Sequence, residues 1–191
     1  MREIGSIEFV QVQRQPMKVM QEDGRIYQPD PLMRVSSLKL TDKGIIGVTA
    51  AGENLVDAHH ADHPQSRYRG QNGISVGFLH FYEDMRATFG PHMVDGIAAE
   101  NIIVRARESM LPLSLGNELV IQCQTGTLVH LQEVMAAPPC VEFSRFALAR
   151  EATPQEIKAT LQYLDDGRRG YYATLDGPLC EIRAGDVLVA P

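Results

Sequence analysis

The sequence predicts a mostly β fold, one domain over residues 1–191, built as an irregular β-barrel with a few short peripheral helices. Three observations predict it. Segments with strand-forming alternation clearly outnumber helical ones. Gly116-Asn117 and Gly185-Asp186 each precede an apolar run, and such pairs supply the positive φ of a tight turn into a strand. A chain of 191 residues, 44% hydrophobic and 22% charged, is long enough for one sizeable core and too short for two large domains.

Taken in order, residues 7–13 alternate polar and apolar side chains as a half-buried strand does, and residues 34–40 do so less cleanly. Between them Gln28-Pro29-Asp30-Pro31 is a loop, because proline lacks a donor and restricts the residue before it. Residues 41–73 carry five glycines and three histidines with little periodicity, the pattern of a long functional loop. A buried strand is expected over 74–79, then a helix through 81–86 that stops at Gly90-Pro91. Further strands are expected over 101–104, 118–122, 127–134, 169–175 and 187–189. Thr153, Pro154 and Glu156 form a capping-box start, and Ile157, Leu161 and Leu164 share one face of the helix that Gly167 ends.

Charge excludes one class of partner. The chain has 18 basic and 24 acidic side chains and a net charge of −6, the opposite of a duplex-binding balance, so no nucleic acid is expected. No apolar run approaches the roughly 20 residues of a membrane helix, and the start lacks a signal-peptide pattern. The expectation is a cytoplasmic protein with no membrane association and a small-molecule substrate. Three cysteines without CxxC spacing suggest neither a disulfide framework nor a zinc ribbon.

Several residues could carry chemistry. Cys140 follows Pro138-Pro139, which stop a strand and hold the chain extended, so a thiol stands where a metal or electrophile could approach; the alternative is a small buried hydrophobe, which better fits Cys123 and Cys180. His59, His60 and His63 form an HHxxH string in which the first and last would share a helix face as zinc ligands do. The glutamate of a metalloprotease motif is missing and Pro64 follows at once, which favours a polar loop. Arg67, Arg69 and Gly70 offer paired guanidinium donors and an open backbone, chemistry suited to a phosphate monoester. Glu100 and Asn101 end a small-residue turn, where they would fix a polar ligand or brace the turn itself.

Four segments in order, Thr41 to Gly47, Gly96 to Ile102, Leu115-Gly116-Asn117 through Pro139-Cys140, and Gly167 to Tyr172 through Ala184-Gly185-Asp186, resemble the molybdenum cofactor sulfurase C-terminal (MOSC) domains. The resemblance implies an irregular β-barrel and a stand-alone domain independent of pyridoxal phosphate. It also implies a molybdenum-pterin cofactor, with Cys140 as metal ligand or as a sulfur carrier through a persulfide, both suited to a thiolate. Glu100 and Asn101 match the polar pair of the family's glycine-rich turn and would lie near that cofactor. The chain departs from the family where an arginine shortly before the cysteine is replaced by Ala136-Ala137.

The implied function is a molybdenum-pterin binding protein, either a reductase of N-hydroxylated compounds or a sulfur carrier acting through Cys140, with Arg67, Arg69 and Gly70 on the pterin phosphate. As a reductase it would take electrons from a separate donor protein, since neither a dinucleotide fingerprint nor cluster-type cysteine spacing is present. The alternatives are a non-catalytic small-molecule binding barrel that has lost the cofactor, and a zinc hydrolase built on the histidine string.

Overall fold

The computed structural model describes residues 1–22, 24–107 and 115–191. In chain order these form strands β1 (Arg2–Gln13), β2 (Lys18–Gln21), β3 (Gly24–Tyr27), β4 (Leu32–Val35), β5 (Ser37–Thr41), β6 (Gly44–Val48), β7 (Asn54–Val56) and β8 (Ile74–Phe78). Helix α1 (Leu79–Phe89) follows, then β9 (Ile102–Ala106), β10 (Leu119–Gln122) and β11 (Leu128–Ala136). Helices α2 (Val141–Leu148) and α3 (Pro154–Leu164) precede β12 (Tyr171–Asp176), β13 (Cys180–Arg183) and β14 (Val187–Ala190).

Among the described residues, β14, β10, β11, β12, β8, β9 and β1 pair in that order and β1 returns to β14, so the sheet closes into a barrel. Closure leaves these strands no open edge. Neighbours are antiparallel except β8 and β9, and that parallel pair needs a crossover, which α1 supplies. The length of β1 lets it serve three partners: β14 along residues 2–6, β9 along 5–10 and β4 along 10–13. A second sheet, β13-β5-β6-β7, and the small β2-β3 hairpin complete the strands.

Two apolar clusters explain why the helices stay at the periphery. Ile102 and Val104 of β9 point into the barrel with Val12, Val76 and Leu188, while Ile103 points outward among Leu79, Tyr82, Phe143 and Leu164. Alternation along one strand thus feeds both layers, which is why this run has no polar member. The outer cluster binds α1, α2, α3 and the β2-β3 hairpin to the barrel wall.

The structure corrects several expectations. Residues 34–40 are two strands, β4 and β5, broken at Ser36. Leu79 begins α1 and does not end a strand. The long loop is shorter than expected, since β6 and β7 lie inside residues 41–73 and its long irregular stretch is 57–73. Gly47 is a strand glycine: a Cβ there would come within 2.7 Å of Val12, so the residue marks a close approach and not a loop. Gly185 has the expected positive φ of 88°, whereas Gly116 does not adopt one. Gly185 thus turns the chain from β13 of the second sheet into β14 of the barrel. The expected helix at Pro154 appears with its full capping box.

Candidate functional site

A cavity of about 440 Å³ lies where the irregular loop, the turn before β9, the start of α2 and the β2-β3 hairpin meet at the barrel. Its described lining includes Lys18, Arg25, Arg67, Arg69 and Arg169, with Glu100 as its carboxylate. A chain of net charge −6 therefore builds a locally cationic hollow, which concentrates anions and excludes other charges.

The loop wall is shaped by Asn72. Its side chain accepts a hydrogen bond from the Arg69 N–H at 2.7 Å and donates to the Arg67 carbonyl at 2.9 Å. The Arg67 N–H reaches back to the Ala58 carbonyl at 2.7 Å, closing the loop on itself. Both guanidinium groups are thereby carried on a braced backbone, and among the described residues neither has a carboxylate partner.

Cys140 stands opposite. Its backbone is extended, as a residue that starts a helix usually is, and it caps α2, its carbonyl accepting from the N–H and the hydroxyl of Ser144 at 3.0 Å. The side chain is half-buried and lines the cavity. The positive end of the α2 dipole faces the same side and favours an anionic occupant. Tyr27 ties the hairpin to this corner: its hydroxyl donates to the Ile97 carbonyl at 2.7 Å and its ring meets Phe143 edge-on at 4.9 Å. Lys18 and Arg25 approach Glu142 of α2 at 3.4 and 3.5 Å, which holds the hairpin over the cavity mouth.

The deepest polar pair is Glu100 and Arg169. Gly96 and Ala99 both have positive φ, 82° and 77°, and this turn sends Glu100 inward. Space is left for it by glycines, since a Cβ on Gly170 would come within 2.6 Å of its Cγ and one on Gly77 within 2.8 Å of its Cδ. One carboxyl oxygen takes a short hydrogen bond from the Tyr82 hydroxyl, and the other is buried without a partner among the described residues. Burial pushes the Glu100 carboxyl above its ordinary range, against the pull of Tyr82 and Arg169. Arg169 has a buried Nε that also lacks a partner, and its terminal nitrogens make long contacts at 3.4 Å to the Pro138 and Ala98 carbonyls. Burial alone would lower its guanidinium, but the surrounding Tyr172, Cys140, Tyr27 and Glu100 outweigh it and raise it.

The fold thus brings Cys140, Glu100 and the loop pair Arg67 and Arg69 to one cavity from three distant positions in the chain. Gly70 has a left-handed φ of 88° between two lining residues but is not itself in the wall. Asn101 lies behind the wall, bonded to Asp57, Ser75 and the Gln11 carbonyl, and so braces the turn. Sequence reasoning missed Arg169, Lys18, Arg25, Tyr27 and Tyr172; of these, Arg169 and Tyr172 lay in a segment that bore the family resemblance. The histidine string is not helical, and among the described residues no group of three or more His, Cys, Asp or Glu could hold a metal ion. That removes the support for a zinc site there.

No protein-family model matches the sequence, and no curated protein matches it. Solved structures do. The YUAD protein from Bacillus subtilis superposes with a TM-score of 0.56 at 12% identity, over 96% of this chain and 93% of that one. YiiM from Escherichia coli gives 0.51 at 12% identity, over 100% of this chain and 71% of that one. A hypothetical protein gives 0.51 at 13%, over 82% of this chain and 61% of its own length. With the closed barrel, these neighbours fit a MOSC-like fold.

Proposed function

We propose that the protein binds a molybdenum-pterin cofactor in the cationic cavity, with Cys140 as metal ligand or sulfur carrier. The observation that carries this reading is the meeting of a half-buried thiol with Arg67 and Arg69, whose guanidinium groups have no carboxylate partner among the described residues, in one hollow of about 440 Å³. That volume falls in the range of about 300–1,000 Å³ typical of small-molecule sites. The residues present suit the group: a thiolate is a soft metal ligand, and Arg67 and Arg69 suit a phosphate. The Nε of Arg169 and one carboxyl oxygen of Glu100, both buried without a partner among the described residues, are a donor and an acceptor suited to a polar ligand edge. Arg169 also supplies a guanidinium beside Cys140, where Ala136-Ala137 lack the expected arginine.

When bound, such a cofactor supplies the redox chemistry itself. The chain's own part is to hold the phosphate on the Asn72-braced loop, to present the Cys140 sulfur from the end of α2, and to limit water through the Tyr27 hairpin. The test is elemental analysis for molybdenum and phosphorus on anaerobically purified wild type and Cys140→Ser, from a host with intact pterin synthesis. Molybdenum near one equivalent in the wild type and lost in the variant is the expected result. Absence from both would leave a cofactor-free binding barrel.

A further inference from the structure

Of the three histidines in the loop, two have both ring nitrogens committed to the fold. His60 Nδ1 accepts from the Asp62 N–H at 3.1 Å and its Nε2 lies 3.4 Å from the Thr41 hydroxyl. His63 Nδ1 accepts from the Gln65 N–H at 3.0 Å and its Nε2 lies 3.0 Å from the Arg14 carbonyl. His59 differs. Its Nδ1 lies 3.3 Å from Oδ1 of Asp57, a residue with 0% exposure, and its ring lines the cavity beside Arg67 and Arg69.

Asp57 is surrounded by donors. Oδ2 accepts from the Gln13 N–H at 2.7 Å and from Asn101 Nδ2 at 3.0 Å, and Oδ1 accepts from the His59 N–H at 2.8 Å. An ionised carboxylate is the group such a set matches, and it holds the His59 imidazole beside it, Nδ1 lying 3.3 Å from Oδ1 as a charge contact. Nε2 has no protein partner among the described residues. A neutral ring brings no charge to an anion there; a charged ring is a third cationic donor beside the two arginines.

We propose that His59, positioned by Asp57, is a proton-gated ligand for a phosphate-type oxyanion in the cavity. The anion is gripped by Arg67, Arg69 and the His59 imidazolium at mildly acidic pH and released more readily as the ring loses its proton. This rests on the reading of the cavity as an anion site. The other charged and titratable groups sharing the cavity are Lys18 and Arg25 from the hairpin, Glu100 from the turn, Cys140 at α2, and Arg169, Tyr27 and Tyr172. The five cations oppose a charge on His59, which Asp57 and the bound anion offset.

The probe is inorganic sulfate, a dianion throughout the range used, followed by NMR chemical-shift titration at about pH 5.5 and about pH 8. Wild type should bind about tenfold more tightly at the lower pH, the factor for one charge-assisted hydrogen bond. His59→Gln should bind at both pH values as wild type does at the higher one, and Asp57→Asn should show a smaller pH effect with His59 still present. Equal sulfate affinity of the wild type at both pH values, or an undiminished pH effect in His59→Gln, would overturn the proposal and leave the anion site standing. A paired Arg67→Gln, Arg69→Gln variant that binds sulfate like wild type, or a wild type that binds none, would remove the anion site and the proposal together.

Discussion

Glu100 shows how a single residue ties stability to the site. Its carboxyl is 3% exposed and raised by burial, so the folded chain keeps a proton that the unfolded chain releases in the ordinary carboxylate range. Its contribution is therefore fully present at low pH and declines as pH rises from about 4.5 through the folded value, by about 1.4 kcal/mol per pH unit in that window. Glu100→Gln lacks this term, so the stability of wild type relative to the variant should fall as pH rises across the window, as read by urea unfolding at several pH values. A constant difference would show that the carboxyl titrates alike in both states. Residue types announced Cys140, Glu100 and the two loop arginines as reactive or anion-binding groups, because thiol, carboxyl and guanidinium chemistry is intrinsic to them. Arg169 was not singled out, since an arginine between glycines looks the same in a solvated turn as in a cavity wall.

At the scale of elements, α3 is a packing unit and can be tested apart from the site. Thr153 accepts from the Glu156 N–H at 3.3 Å, and Glu156 accepts from the Thr153 N–H at 2.8 Å. Arg150 first, then Thr153, holds the Glu156 carboxyl down at about 2, so the cap is complete at neutral pH and is lost only as pH falls through that low value. Thr153→Ala should cost about 1 kcal/mol in thermal or urea unfolding and leave sulfate binding unchanged. This helix was legible because its cap, its proline and its apolar spacing are all local signals. Helix α2 was not, although Phe143, Phe146 and Ala147 have helical spacing: at eight residues it is short, and the two prolines before it read as extended chain. The β2-β3 hairpin was equally hidden, because it is held by Tyr27 against α2 and by two ion pairs to Glu142, contacts between segments far apart in sequence.

For the whole molecule, the last strand is the keystone of closure. β14 pairs with β1 on one side and β10 on the other, and Leu188 within it has 0% exposure. Leu188→Ala should cost about 2–5 kcal/mol, from lost burial and the cavity left behind. Deleting residues 187–191 opens the ring, exposing edges on β1 and β10, and should abolish the cooperative thermal transition followed by circular dichroism. A truncated chain that still unfolds cooperatively would show that closure is dispensable. Because the site draws its walls from both ends of the chain, opening the barrel should also abolish sulfate binding.

By itself the sequence determined the β-rich class, the capped helix, the extended thiol at Cys140 and the phosphate-compatible loop of Arg67 and Arg69, since each follows from local periodicity, backbone restriction or side-chain chemistry. Only the tertiary structure decided that these groups share one cavity, that Arg169 and the hairpin complete it, that Asn101 braces and does not line it, and that His59 alone of its string lines it. The physical reason is that convergence depends on barrel closure and on buried hydrogen bonds between residues far apart in the chain, such as Asp57 with Asn101 and Tyr82 with Glu100. No local pattern encodes such pairings.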